Sequence, residues 1–214
     1  HVMFSDANGE GQKNLRDILR AYALYNPTLG YCQGMGMIVG LLLMRMNPED
    51  SFWMLVVILE NYVPDYHSES LYQLRVDAAA FELCLKKFQR PLAKHMHELK
   101  PLNYMTQWFL TLYTMTLPWN TVLRLWDMFL HDGAKALFRA GLGILAPKKT
   151  YIIKNCPTSS DILEYLFSLP KQVTDPDEFI EECLKIKLGH KDLDKMRNQV
   201  KMAHSSLDSG VNKR

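Results

Sequence analysis

The 214-residue sequence has no CxxC pair, no block of like charge, no apolar run long enough to span a bilayer and no sustained strand-like alternation. Each absence removes a class of protein. The four cysteines, Cys32, Cys84, Cys156 and Cys183, stand far apart, which suits free thiols in a reducing compartment better than a disulfide framework or a zinc site. The seven histidines are scattered as well; His95 and His97, two apart, would face different sides of a helix and make a poor ligand pair. No metal site is expected. A formal net charge of +2 without a Lys/Arg block argues against nucleic-acid binding. The longest apolar stretch, Met35 to Met46, is interrupted by Arg45 and is too short for a transmembrane helix. No signal peptide opens the chain. Recruitment to membranes is expected only indirectly.

What the sequence does have is helical periodicity. Hydrophobic residues make up 48% and charged residues 22%, enough for a sizeable core in one large domain or two helical lobes. Apolar residues recur three and four apart in segment after segment. Leu15, Ile18, Leu19 and Tyr22 form the first stripe, ended by Asn26-Pro27. A nearly all-apolar helix is expected from about Gly34 to Met46, buried on all sides, with Met35, Met37, Met44 and Met46 read as core rather than as a metal-binding stripe. Asn47 with Pro48, or Ser51, would cap the next helix, Phe52 to about Tyr62.

Further helices are expected at about Ser68 to Phe88, Tyr104 to Met115, Trp119 to Leu130, Ala134 to Leu145, Ser159 to Ser168, Asp175 to Lys187 and His190 to Ser205. Asp208 to Arg214 lack periodicity and are expected to fray. Pro91 and Pro101 punctuate the middle, and Ala146-Pro147-Lys148-Lys149-Thr150 marks a candidate lobe boundary at 146–150. The fold class is all-α, built from many short helices in two packed lobes.

The stretch Gly30-Tyr31-Cys32-Gln33-Gly34-Met35-Gly36 joins two of these helices. Gln33 falls at the N-terminal edge of the second, where backbone N–H groups lack partners and the dipole favours negative charge. A carboxamide carries both a donor and an acceptor. It can orient a water while donating toward an anion, which phosphoryl transfer to water requires. Gly34 and Gly36 remove side chains that would obstruct a partner's approach. Other readings stay open on the residues alone. The glycines could simply permit close helix packing. A dinucleotide fingerprint lacks its third glycine and its preceding strand. A Cys32 nucleophile has no identifiable base among the seven histidines.

The run from Ala21 to Met35, with Tyr22, Asn26, Pro27 and Gly30-Tyr31-Cys32-Gln33-Gly34-Met35, closely resembles the signature of TBC domains. Trp108-Phe109, Arg124-Leu125-Trp126-Asp127 and Gly133 follow in the family's order and spacing, and the likeness extends from about Phe4 to Leu169. The resemblance implies one TBC domain over residues 1–214, active in trans on a Rab-type small GTPase. It implies Gln33 as a glutamine finger, with Gly30, Tyr31, Cys32 and Gly34 supporting it; a core aromatic is the bland reading of Tyr31. Trp108, Phe109, Arg124, Trp126 and Asp127 are expected to be structural, with Arg124 and Asp127 on one helical face, paired or anchoring neighbouring loops. The domain would hold no cofactor of its own, since GTP and Mg²⁺ belong to the partner. Its place would be cytoplasmic or peripheral to trafficking membranes.

The same resemblance calls for an arginine in an "IxxDxxR" motif shortly before "TFPxH". No such motif lies between His1 and Gln33, and Arg16 and Arg20 suit a solvated helix face. His1-Val2-Met3-Phe4 looks like the tail of that stretch, so the arginine finger is expected upstream of His1 and the domain is expected to lack its extreme N-terminal part. The alternative is a Rab- or protein-binding module that has lost the arginine and does not catalyse.

Overall fold

Asn47 illustrates how this sequence divides itself into short helices. Its side chain accepts a hydrogen bond from the Asp50 N–H at 2.9 Å, Pro48 occupies the first helical turn, and Glu49 and Asp50 place negative charge at the positive end of the helix dipole. Asn47, rather than Ser51, is the cap; Ser51 is buried inside the helix. The computed structural model describes residues 2–211, with side chains described as far as residue 203. Among them there are twelve α-helices and no strand.

The described residues form two units. The first comprises the chain up to Gln73 together with Gln107–Met115. It opens with a 3₁₀ turn, Val2–Phe4, followed by helices α1 (Glu10–Tyr25), α2 (Met35–Leu43) and α3 (Pro48–Val57), which pack against one another. Helix α2 is shorter than the expected 34–46 and is not buried all round. Met35, Ile38, Val39, Leu41, Leu42 and Leu43 are core, but Met37 is 46% exposed. Two glycines inside nine residues make it a poor helix by propensity, each costing about 1 kcal/mol relative to alanine. Its buried side chains, at roughly 1.5–3 kcal/mol each, hold it in place. Helix α3 runs on into a single π turn, Ile58–Tyr62, closed by a Val63 N–H to Ile58 C=O bond of 2.9 Å.

The second unit comprises Leu74–Thr106 and the residues from Thr116 onward. Its helices include most of α4 (Tyr72–Phe88), then α5 (Arg90–His95) and the start of α6 (Leu102–Leu110). There follow α7 (Trp119–Asp132), α8 (Ala134–Leu145), α9 (Lys149–Asn155), α10 (Ser159–Ser168), α11 (Pro176–Lys185) and α12 (His190–Val211). Helices α7, α8 and α11 pack mutually. At Gly143 in α8 an added Cβ would lie 2.9 Å from the Cys183 sulfur of α11, so no larger residue fits that crossing without a shift. Asp77, fully buried, receives a bidentate grip from Arg197 at 2.6 and 2.7 Å, and the Arg197 guanidinium lies 5.7 Å from the centre of the Phe138 ring.

Several expected boundaries move. Helix α4 starts at Tyr72, not Ser68, because Leu71 takes a left-handed φ of 50°. Helix α6 stops at Leu110 instead of running to Met115, because Leu112 and Tyr113 take φ of 48° and 63°. Helix α12 continues to Val211, past Ser205 and into the stretch expected to fray, whereas 212–214 lie outside the described residues. Residues 146–150 fall inside the second unit, and α9 begins within them.

Candidate glutamine loop

The chain leaves α1 through a compact turn built on Asn26. Its N–H donates to the Tyr22 carbonyl, its side-chain oxygen accepts from the Leu29 N–H at 3.1 Å, and its own carbonyl accepts from the Gly30 N–H at 2.8 Å. Gly30 then takes a φ of +62°, in open space. The Cys32 N–H points to the Met35 sulfur at 3.4 Å, and the Met35 N–H returns to the Cys32 carbonyl at 3.3 Å. Met35, fully buried, thus anchors the loop from beneath. Gln33 is left exposed, one residue before Gly34, the N-cap of α2.

Gly34 is required by the fold itself. Its φ of +108° is hostile to L side chains, and an added Cβ would stand 2.9 Å from the Leu110 carbonyl oxygen and 3.3 Å from the carbonyl carbon. Gly36 differs: an added Cβ would meet only a Leu19 methyl at 3.9 Å. The Leu110 oxygen also lies 2.9 Å from Nε2 of His67, a residue only 3% exposed. Burial pushes the His67 imidazole down to about 4 against an opposing pull from that carbonyl, so the ring is neutral at pH 7. A carbonyl only accepts, so Nε2 carries the proton.

Behind the loop stand aromatics. Trp108 and Phe109 are fully buried; Phe109 stacks on Tyr66 at 6.2 Å, and Trp108 lies 5.7 Å from Tyr113. Tyr31 is 60% exposed and is not a core aromatic. Cys32 is half-buried with its thiol directed at the Gln33 carbonyl at 3.6 Å; burial raises its pKa, with that hydrogen bond opposing, which disfavours a nucleophilic thiolate. An open groove adjoins the loop, lined by Tyr22, Asn26, Leu29, Glu60, Asp65 and Glu69. Burial first, then the Glu60 charge, push the Tyr22 hydroxyl up to about 12. The π turn that carries Glu60 and the left-handed turn at Leu112-Tyr113 escaped sequence reading, since neither leaves a periodic or glycine signal.

Arg124, Trp126 and Asp127 lie on α7 in the second unit. Trp126 is buried and Asp127 exposed. Arg124 reaches across to Asp177 at the start of α11, at 3.1 Å, rather than to Asp127. That pair is largely exposed and contributes little, about 0–1 kcal/mol. His95 bonds to the Cys156 carbonyl at 2.8 Å while His97 points to Lys94. No cluster of three or more potential metal ligands occurs among the described residues.

An all-helical chain with this loop geometry and these motifs falls within a recognised class: the protein belongs to the Rab-GTPase-TBC domain family, which matches residues 1–153. It is 37% identical over 202 residues to mouse TBC1 domain family member 10A, covering 91% of this chain and 40% of that protein. Mouse Carabin is 36% identical over 212 residues, 97% of this chain and 48% of its own length. The chain thus spans less than half the length of these curated relatives. The crystal structure of a Chlamydomonas flagellar RabGAP TBC domain superposes with a TM-score of 0.75 at 25% identity, over 85% of this chain and 63% of that one.

Proposed function

We propose that this chain is the catalytic domain of a GTPase-activating protein for Rab-type small GTPases, with Gln33 as the group it inserts into the partner's nucleotide site. The observation that carries this reading is an exposed carboxamide on a loop whose backbone is fixed on both sides, at Asn26–Gly30 and at Gly34. The partner supplies GTP and Mg²⁺. The Gln33 carbonyl oxygen would accept a hydrogen bond from the attacking water while its amide donates toward the γ-phosphoryl oxygens, aligning the water for in-line attack. Held before contact, such a group contributes in the transition state more than in the ground state.

Neutralising the charge that develops on the phosphates calls for an arginine, worth about 10³–10⁵ in rate in related GTPase systems. It is expected on sequence preceding residue 1. A second reading follows from the lack of an IxxDxxR motif between His1 and Gln33: a Rab-binding module without catalysis. No helix among the described residues is long and apolar enough to cross a membrane; the domain would work in the cytoplasm and reach trafficking membranes through its GTPase. Single-turnover GTP hydrolysis across a Rab panel, with the 214-residue chain and with a longer form, separates the readings. Acceleration of at least one Rab by the longer form supports catalysis. Binding without acceleration by a longer form that also lacks the arginine favours the second reading, and no acceleration of any Rab by a form that contains it refutes the first.

A further inference from the structure

We infer that His67 is a positioning residue for Gln33, acting through the Leu110 carbonyl and Gly34; this rests on the glutamine-finger reading above. The chain of contacts begins with a backbone anomaly. In a continuing helix the Leu110 carbonyl would accept from the N–H four residues on, but the Thr114 N–H bonds instead to the Thr111 carbonyl at 3.0 Å. The left-handed residues Leu112 and Tyr113 cause this by turning the backbone back, so that the Tyr113 N–H closes on the Trp108 carbonyl at 2.7 Å. The Leu110 oxygen, at a helix C-terminus, is thereby left for an outside donor. His67 Nε2 fills that role at 2.9 Å.

The oxygen that His67 holds is also the surface against which Gly34 rests, 2.9 Å from the position of a Cβ. Gly34 is covalently next to Gln33 and caps α2. His67 comes from a different stretch of chain, 33 residues after Gly34 and 43 before Leu110, so the contact ties three separate segments of one unit at the base of the loop. The His67 ring is fixed by its burial and by the Tyr66–Phe109 stack alongside it in sequence. Its Nδ1 finds no hydrogen-bond partner among the described residues, so Leu110 is what orients the imidazole. Loss of the donor lets the Leu110 turn relax, and the platform beneath Gly34 moves with it. Misplacement of a catalytic group by about 1 Å costs on the order of a hundred-fold in rate.

The test compares His67→Leu, which keeps apolar bulk without the donor, with His67→Gln, whose amide nitrogen can reach the same carbonyl. Thr121→Val, which removes a buried hydroxyl bond to the Val173 carbonyl in the second unit, serves as a destabilisation control. The longest available form is assayed for kcat and KM on an activated Rab, and amide hydrogen exchange is followed over residues 30–37. His67→Leu is expected to lower kcat on the order of ten- to a hundred-fold with KM nearly unchanged, and to speed exchange in that loop. His67→Gln should recover most of both, and Thr121→Val should alter neither. Unchanged kcat and exchange in His67→Leu, or an equal loss in Thr121→Val, overturns the assignment. A wild type inactive on every Rab, or a Gln33→Ala variant as fast as wild type, overturns the glutamine-finger reading instead; the exchange arm still decides whether His67 holds the loop.

Discussion

Replacing Gly34 by alanine separates what the loop needs from what its composition merely allows. Two costs add at this position. A side chain at a φ of +108° is strained by about 1–2 kcal/mol or more. The Cβ also meets backbone, the Leu110 carbonyl at 2.9 Å, which cannot swing aside as a flexible side chain can; such overpacking costs a further ~1–3 kcal/mol. Gly34→Ala should therefore lose roughly 2–5 kcal/mol. Gly30→Ala, with a φ of +62° and nothing within 4 Å, should lose only about 1 kcal/mol. Gly36→Ala lies inside α2 with its nearest contact at 3.9 Å and should gain up to ~1 kcal/mol. Urea unfolding followed by circular dichroism ranks the three. If Gly34→Ala costs no more than Gly30→Ala, the contact with Leu110 does not hold the loop. If Gly36→Ala is stable yet loses Rab binding, the glycine there clears space for the partner.

Other outcomes follow from the same packing. The His67 imidazole is depressed from 6.5 to about 4 in the fold, so unfolding takes up a proton between those values. Its contribution is present above pH 6.5 and is lost as pH falls toward 4, by roughly 3 kcal/mol in total; His67→Gln should flatten that window of the stability–pH curve. Asp77→Ala removes the bidentate carboxylate from the Arg197 guanidinium and should cost ~3–5 kcal/mol in denaturant titration, whereas Arg124→Ala at the exposed Asp177 pair should cost under about 1. Asn47→Ala removes the α3 cap and should lower stability by about 1 kcal/mol.

Periodicity served best where local chemistry also marked the ends. Helix α8 begins after Gly133 and α10 after Thr158, whose reciprocal bonds with Asp161 form a capping box, and both span the residues their sequence suggests. Proline misled in the other direction. Pro91 reads as a break, yet it occupies the first turn of α5, where its missing N–H costs nothing. The apolar pattern of α6 continues through Leu112 and Tyr113, whereas their left-handed backbone ends the helix. At the candidate site, the exposed glutamine and its flanking glycines were visible in sequence. The reason for Gly34 was not: it depends on Leu110, 76 residues away, and on His67 behind it.

Gln33 is proposed to act on the transition state rather than on ground-state binding. The direct measurement compares wild type and Gln33→Ala in a longer form, recording single-turnover hydrolysis and affinity for the same Rab in its GTP-bound state and with GDP and aluminium fluoride. Gln33→Ala is expected to lower hydrolysis on the order of a hundred-fold or more, to keep the affinity for the GTP state and to lose the extra affinity for the fluoride complex. Unchanged hydrolysis, or a loss explained entirely by weaker binding to the GTP state, would contradict it.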